Sequence, residues 1–253
     1  MGQNHQVRLG LVSDIHGNAI ALRAVLRDAA EAGIDEWWVL GDIVALGPSP
    51  VEVLQILDSL PAVKCIAGNT ERYVLTGDRP YPSLADVESD PDLLPRLVEV
   101  AVTFAWTRGM ITQAGWYAWL AALPSEIRTV FPDGTRVLAV HASPRSDDGN
   151  GIDTRISDDD LALLVHECDA EVVFAGHTHD VTDRPVGDVR AVNLGSVSNP
   201  CRPDRAATYV QVDIDEDRHS IEHRVVEYDH GAVVSAIDDV AHPAGRYLKQ
   251  FHQ

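Results

Sequence analysis

Apolar positions along this chain come in short runs that stop abruptly at polar residues. Val7 to Val12 is one such run; it ends at Ser13-Asp14 and reads as a buried strand delivering polar side chains at its tip. From about Asn18 to Ala32 the apolar residues Ile20, Leu22, Val25, Leu26 and Ala29 fall mainly on one helical face, and Gly33 ends the helix. Trp37 to Leu40 reads as a second strand, again ending in a polar pair, Gly41-Asp42. Ser49-Pro50 fits an N-cap with proline at the first helical position, opening a helix to about Leu60. Ala62 to Ala67 makes a third strand, ending at Gly68-Asn69. This β-α-β-α-β order predicts a parallel or mixed sheet covered by helices.

The pattern changes over residues 78–130. Asp78 to Asp92 is rich in proline and acid and reads as an excursion from the core. Leu93 to Arg108 and Thr112 to Leu123 read as helices carrying Trp106, Trp116 and Trp119, which are expected to pack this helical insert onto the body. Arg136 to Val140 returns as a strand ending at His141, and a helix from Ser157 to Glu167 leads to strand Glu171 to Ala175, ending at Gly176-His177. Strands at about 188–193, 207–214 and 221–228 follow, then two weak helices. With no repeat, low-complexity tract or linker, residues 1–253 are expected to form one domain.

Hydrophobic residues make up 45% of the 253, enough for a sizeable core and against wholesale disorder. No apolar run approaches the ~20 residues that span a bilayer. Met-Gly-Gln-Asn-His-Gln lacks the basic and apolar regions of a signal peptide, and Gln6 stands where a myristoylation signal wants Ser or Thr, so a cytoplasmic protein is expected. Cys65, Cys168 and Cys201 are far apart and odd in number, which suggests no disulfide framework. The formal charge of −19 disfavours non-specific binding to nucleic acid or to anionic membranes. Lys64 and Lys249 are the only lysines, so arginine supplies almost all the positive charge.

Five strand ends in succession carry metal-capable side chains: Asp14-Ile15-His16, Gly41-Asp42, Gly68-Asn69, His141, and Gly176-His177-Thr178-His179. Open α/β sheets bind ligands beyond the carboxyl ends of their strands, so these groups are expected to converge in one crevice. Imidazole, carboxylate and amide oxygen without thiolate suit two divalent ions such as Mn, Fe or Zn, with Ni also admissible. Asp42 can bridge two cations through its two oxygens. Ions ~3.5–4 Å apart clamp a phosphoryl oxygen and lower the pKa of a bridging water, whose hydroxide attacks phosphorus in line.

The order D-x-H, GD, GN, H, GHTH resembles the calcineurin-like metallophosphoesterase superfamily. Gly41-Asp42-Ile43-Val44-Ala45-Leu46-Gly47-Pro48 and Asn193-Leu194-Gly195-Ser196-Val197 are similar to its small bacterial and archaeal phosphodiesterase branch. The resemblance implies an α/β fold of four layers, two packed mixed β-sheets flanked by helices. It also implies that Asp14, His16 and His179 hold one metal, that Asn69, His141 and His177 hold the other, and that Asp42 bridges. Asp42, Asn69 and His177 would then be the catalytic set of a two-metal phosphatase or phosphodiesterase. Many relatives read GNH at the third motif, where the histidine is thought to protonate the leaving group; here the triplet is Gly68-Asn69-Thr70. Threonine is no useful general acid near neutral pH. Substrates whose leaving group needs little protonation are therefore expected: aryl esters, nucleotide diesters or anhydrides.

Arg72, Arg145 and Arg202, with Asn199, are candidates for gripping a substrate phosphate. An ordinary ion pair with one of the 39 acidic residues is an equally open role for Arg72 and Arg145. Asp180 and Asp183 could orient a ligand histidine from behind, or be plain loop carboxylates. The partner expected is a small phosphorylated substrate. The alternative to a hydrolase is a non-catalytic, metal-binding scaffold for protein interaction on the same fold, against which every expected ligand position is filled. The sequence leaves the oligomeric state open.

Overall fold

The computed structural model describes residues 7–253; the reading of the first six residues lies outside it. The chain runs β1 (Val7–Val12), α1 (Ala19–Ala32), β2 (Glu36–Leu40), α2 (Pro50–Asp58), β3 (Val63–Ile66) and α3 (Asn69–Thr76). Then come α4 (Leu84–Ser89), a single 3-10 turn, α5 (Leu94–Gln113), α6 (Tyr117–Ala121), β4 (Glu126–Val130) and β5 (Arg136–Val140). The remainder is α7 (Asp158–Val165), β6 (Val172–Ala175), β7 (Thr182–Val186), β8 (Val189–Asn193), β9 (Ala207–Ile214), β10 (His219–Val226), α8 (His230–Asp239) and α9 (Gly245–Lys249).

Two five-stranded mixed sheets result, ordered β10-β9-β1-β2-β3 and β4-β5-β6-β8-β7. β1, β2 and β3 are parallel to one another, as are β5, β6 and β8, so each sheet gathers carboxyl ends along one edge. The facing sides meet in a layer that includes Leu9, Leu11, Leu40, Ile66, Val137, Phe174 and Val210. Alternate residues of the first sheet pack outward against α1, α2, α5, α8 and α9, and those of the second against α7. Strands buried on both faces explain why they read as continuous apolar runs rather than alternating ones. The helix α1 opens on the Asn18 side chain, which accepts from the Ala21 N–H, and closes on Gly33 at φ 74.

Three local expectations need correction. The insert does not reach residue 130, because Glu126–Val130 pairs antiparallel with β5 as an edge of the second sheet. Its main helix is one 20-residue α5 running through Gly109, rather than two helices broken near it. Residues 69–76 form a helix that the short polar run Asn69-Thr70-Glu71-Arg72 concealed. Val100, Phe104, Ile111 and Leu120 bury the insert against the helical layer, joined there by Trp116 and Trp119. Trp106 packs on His242, ring centroids 4.3 Å apart. No helix among the described residues is long and apolar enough to cross a membrane.

Candidate metal centre

Each expected ligand sits at or just beyond a strand's carboxyl end: Asp14 and His16 after β1, Asp42 after β2, Asn69 after β3, His141 after β5, His177 and His179 after β6. The fold brings all seven together. Asp14, His16, Asp42, Asn69 and His141 are buried, while His177 and His179 are partly open to solvent. His179 Nε2 lies 3.1 Å from Asp14 Oδ1 and 3.3 Å from His16 Nε2. His141 Nε2 lies 3.3 Å from Asp42 Oδ1 and 2.9 Å from Asn69 Oδ1, and His177 Nδ1 is 3.1 Å from that same amide oxygen.

Backbone carbonyls set the histidine tautomers. His16 Nδ1–H donates to Ala45 O, His141 Nδ1–H to Leu40 O and His179 Nδ1–H to Asn199 O, at 3.2, 2.6 and 2.6 Å. His177 donates from Nε2–H to Gly149 O at 3.1 Å. The outward nitrogen of each ring therefore carries the proton, and a neutral ring presents its inward lone pair to the centre. Lone pairs of His16 and His179 thus face one another, and those of His141 and His177 face an amide oxygen. A proton or a cation between the facing nitrogens of His16 and His179 reconciles their contact.

The titration behaviour says the same. Burial pushes the Asp14 carboxyl up, but neighbouring His179 and His141 outweigh it and hold it below the ordinary value. Asp42 is likewise held well below, burial being overcome by His141 and His16. His141 is raised to about 10 although burial opposes its charge, because Asp42 lies against it; His179 is raised by Asp14 in the same way. His16, dominated by burial, is lowered. Without metal, an imidazolium proton on His141 occupies a position that a cation suits.

A direct test of fit is Asp14 Oδ1, which is buried with no backbone or hydroxyl donor on it and faces only imidazole nitrogen, His179 Nε2 at 3.1 Å. Asp14 belongs to both donor groups whose ligand atoms lie within 4.8 Å of one another, Asp14-His16-His179 and Asp14-Asp42-His141. Five of the ligands adopt left-handed backbone: Asp14 (φ 57), His16 (48), Asp42 (54), His177 (69) and His179 (59). Such conformations cost of order 1–3 kcal/mol each and persist only where surroundings over-determine them. Here cross-strand bonds do so, including Asp14 N–H to Gly41 O (3.1 Å), His16 N–H to Asp42 O (2.8 Å) and Ser198 N–H to Asp14 O (3.1 Å). The loops also touch closely: a Cβ on Gly41 would stand 2.6 Å from Gly68 N, and one on Gly68 would run into Asp42 Oδ1. The residues present fit a metal centre of nitrogen and oxygen donors.

The remaining candidates are placed differently. Arg72 donates to Asp147 (2.8 and 3.1 Å), Asp148 (3.1 Å) and Asp78 (3.3 Å), so carboxylates already occupy its guanidinium. Arg145 donates to Leu163 O and His166 O and lines a cavity of about 750 Å³ that runs past Gly149, Arg155, Leu164 and Thr178 beside the centre. Arg202 pairs with Asp204. Asn199 acts through its carbonyl on His179. Asp180 accepts from Thr154 and Asp183 pairs with Arg190, so neither orients a ligand histidine. Sequence reasoning missed the four orienting carbonyls, which have no side-chain signature, and the contacts made by three side chains. Thr70 and Glu71 contact the Asp42 loop. Asn193 Nδ2 ties the Gly176-Thr178 turn by donating to Gly176 O and Thr178 Oγ1. The phrase Asn193-Leu194-Gly195-Ser196-Val197 already marked that last position.

Residues 7–217 match the family model of the calcineurin-like phosphoesterase superfamily domain. An uncharacterised protein of Methanocaldococcus jannaschii is 29% identical over 137 residues, covering 54% of this chain and 50% of that one. A symmetrical bis(5'-nucleosyl)-tetraphosphatase of Pectobacterium carotovorum is 32% identical over 90 residues, 32% of each chain. The chain thus spans at most half the length of these curated relatives. Among solved structures, a hypothetical protein from Pyrococcus horikoshii superposes with a TM-score of 0.79 at 22% identity, covering 97% of both chains. A metallophosphoesterase from Sphaerobacter thermophilus gives 0.70 at 25% identity, covering 96% of this chain and 98% of that one.

Proposed function

This chain belongs to the calcineurin-like phosphoesterase superfamily, and on that premise we propose that it hydrolyses phosphomono- or phosphodiesters, or phosphoanhydrides, with two bound divalent ions. The observation that carries the reading is Asp42, whose carboxylate faces two ways. Its Oδ1 stands 3.3 Å from His141 Nε2 and its Oδ2 3.8 Å from His16 Nε2, so one side chain serves both halves of the donor set. Asp14, His16 and His179 would hold one ion, Asn69, His141 and His177 the other, with Mn, Fe or Zn, and Ni admissible, all suited to these donors. The ions, when bound, polarise a phosphoryl oxygen and acidify water.

The chain's own groups select the substrate. Thr70 Oγ1–H is already donated to Asp42 Oδ1 at 2.9 Å. One turn on, burial and the Asp148 carboxylate push the Tyr73 phenol up to about 12. Neither is a proton donor for a poor leaving group, which favours aryl esters, nucleotide diesters and anhydrides. The nucleoside tetraphosphate in the Pectobacterium relative's name falls in that class, and the cavity beside Thr178 offers room for the rest of such a molecule. We place the protein in the cytoplasm, consistent with its three unpaired cysteines. A small phosphorylated molecule is the partner, and the acidic surface disfavours non-specific binding to nucleic acid.

The test is hydrolysis of an aryl phosphate monoester and the matching diester by metal-free protein titrated separately with Mn, Fe, Zn and Ni. Turnover that needs metal and disappears in Asp42→Asn is expected. Two ions bound per chain with no turnover on esters or anhydrides would sink the hydrolase reading in favour of a metal-binding scaffold. A Thr70→His variant that leaves the aryl-to-alkyl rate ratio unchanged would sink the leaving-group argument alone.

A further inference from the structure

We propose that Thr70 and Glu71 form a cradle that fixes Asp42 by its carboxylate and its backbone, setting the centre's metal affinity without either residue touching a metal. The inference rests on the metal reading of the site. Glu71 is fully buried, and its carboxylate is spread over two loops. Oε2 accepts from Asp42 N–H at 2.7 Å and Gly68 N–H at 2.9 Å, while Oε1 accepts from Ile43 N–H at 2.9 Å and Val44 N–H at 3.4 Å. One side chain thus gathers the amides of the strand-end turn that carries Asp42 and of the turn that carries Asn69. Thr70 completes the hold from the other side: its N–H and its hydroxyl both donate to Asp42 Oδ1, each at 2.9 Å.

Asp42 needs such a hold. Its backbone is left-handed, which an aspartate abandons unless neighbouring bonds require it. Two N–H and O–H donors on Oδ1 fix the rotation of the carboxylate plane, so that Oδ2 is left facing His16. A buried carboxylate with no cation beside it is costly unless several donors surround it, and Glu71 has four. Donors arranged this way on an acceptor that is not a ligand have one evident use, to preorganise the two turns before a cation arrives.

The variants follow from the geometry. Glu71→Gln keeps the shape and one oxygen, but its amide nitrogen then faces two N–H donors, so one turn is released. Thr70→Val keeps the volume and the backbone donor and removes the hydroxyl; Thr70→Ser restores it. Cobalt(II) titration of metal-free protein, followed by its visible absorption band and by equilibrium dialysis, reads the centre without any turnover. Glu71→Gln is expected to weaken cobalt binding by about 10- to 100-fold with an altered band. Thr70→Val is expected to weaken it several-fold, and Thr70→Ser to return close to wild type. Should Glu71→Gln fail to fold, hydrogen exchange of metal-free wild type decides. The amides of Asp42, Ile43, Gly68 and Thr70 are expected to be protected as strongly as those of β1 and β2. Variants with wild-type affinity and spectrum, or amides protected only after cobalt is added, would overturn the cradle. Wild-type protein that takes up no cobalt would instead remove the metal reading beneath it.

Discussion

Each histidine of the centre takes its tautomer from a main-chain carbonyl, and two of them have their pKa values raised by neighbouring carboxylates when metal is absent. His141, raised to about 10 beside Asp42, is protonated at neutral pH in metal-free protein, and His179 is shifted the same way. A metal must expel such protons, so affinity is expected to rise with pH, approaching a tenfold gain per pH unit for each proton displaced. Calorimetry in buffers of different ionisation enthalpy counts them; zero protons released at pH 7 would contradict the assignment. Gly68→Ala is expected to cost at least tenfold in metal affinity, measured by the same titration, because its methyl group meets Asp42 Oδ1. All seven donors stood out in the sequence because each is a polar side chain ending an apolar strand. The carbonyls of Leu40, Ala45, Gly149 and Asn199 did not, since any residue type supplies a carbonyl. Glu71 was invisible for another reason: its partners are amides, three of them 27, 28 and 29 positions away in sequence.

Among the elements, the parallel strands were legible and the irregular pieces were not. β7 carries Pro185 on a sheet edge, where a missing N–H costs no pairing but breaks the sequence pattern of a strand. β4 was absorbed into the insert because Glu126-Ile127-Arg128-Thr129-Val130 is half polar, as an edge strand is. The helix α3 shows why short elements matter: Arg72 on it pairs with Asp147 and Asp148, next to the Gly149 carbonyl that orients His177. Arg72→Ala is expected to weaken metal binding and lower kcat several-fold with KM little changed; a raised KM with intact metal affinity would instead reveal a substrate contact. At the other end of the insert, His242 lies under Trp106, and burial lowers its pKa to about 4; His252 is lowered to about 4 likewise. Above the ordinary value of 6.5 both folded and unfolded chains are neutral there, and stability is unaffected. Between about 6.5 and 4 only the unfolded chain takes up the proton, so stability falls as pH falls, by at most about 1.4 kcal/mol per pH unit for each histidine. A His242→Asn variant is expected to show a smaller drop in Tm between pH 7 and pH 5 than wild type. An identical drop would mean that His242 is not held neutral.

At the scale of the molecule, 39 acidic residues against 20 basic ones leave more repulsion than the surface ion pairs relieve. Salt should therefore raise Tm by a few degrees between ~0.01 and ~0.5 M sodium chloride, through screening; a falling Tm would show that the arginine pairs dominate instead. The centre also joins the two sheets. Asp14, His16, Asp42 and Asn69 come from the first, and His141, His177 and His179 from the second. Bound ions then fasten distant parts of the chain much as a disulfide would, but with a fastening that a reducing compartment leaves alone and a chelator undoes. At a hundredfold excess over Kd, each ion adds about 2.7 kcal/mol against unfolding. Limited proteolysis is thus expected to cut chelated protein markedly faster than loaded protein, with the difference erased on re-adding metal. On the proposed metal reading, the resistance of this chain to proteolysis would track the available metal, and starvation would remove the protein as well as its ions.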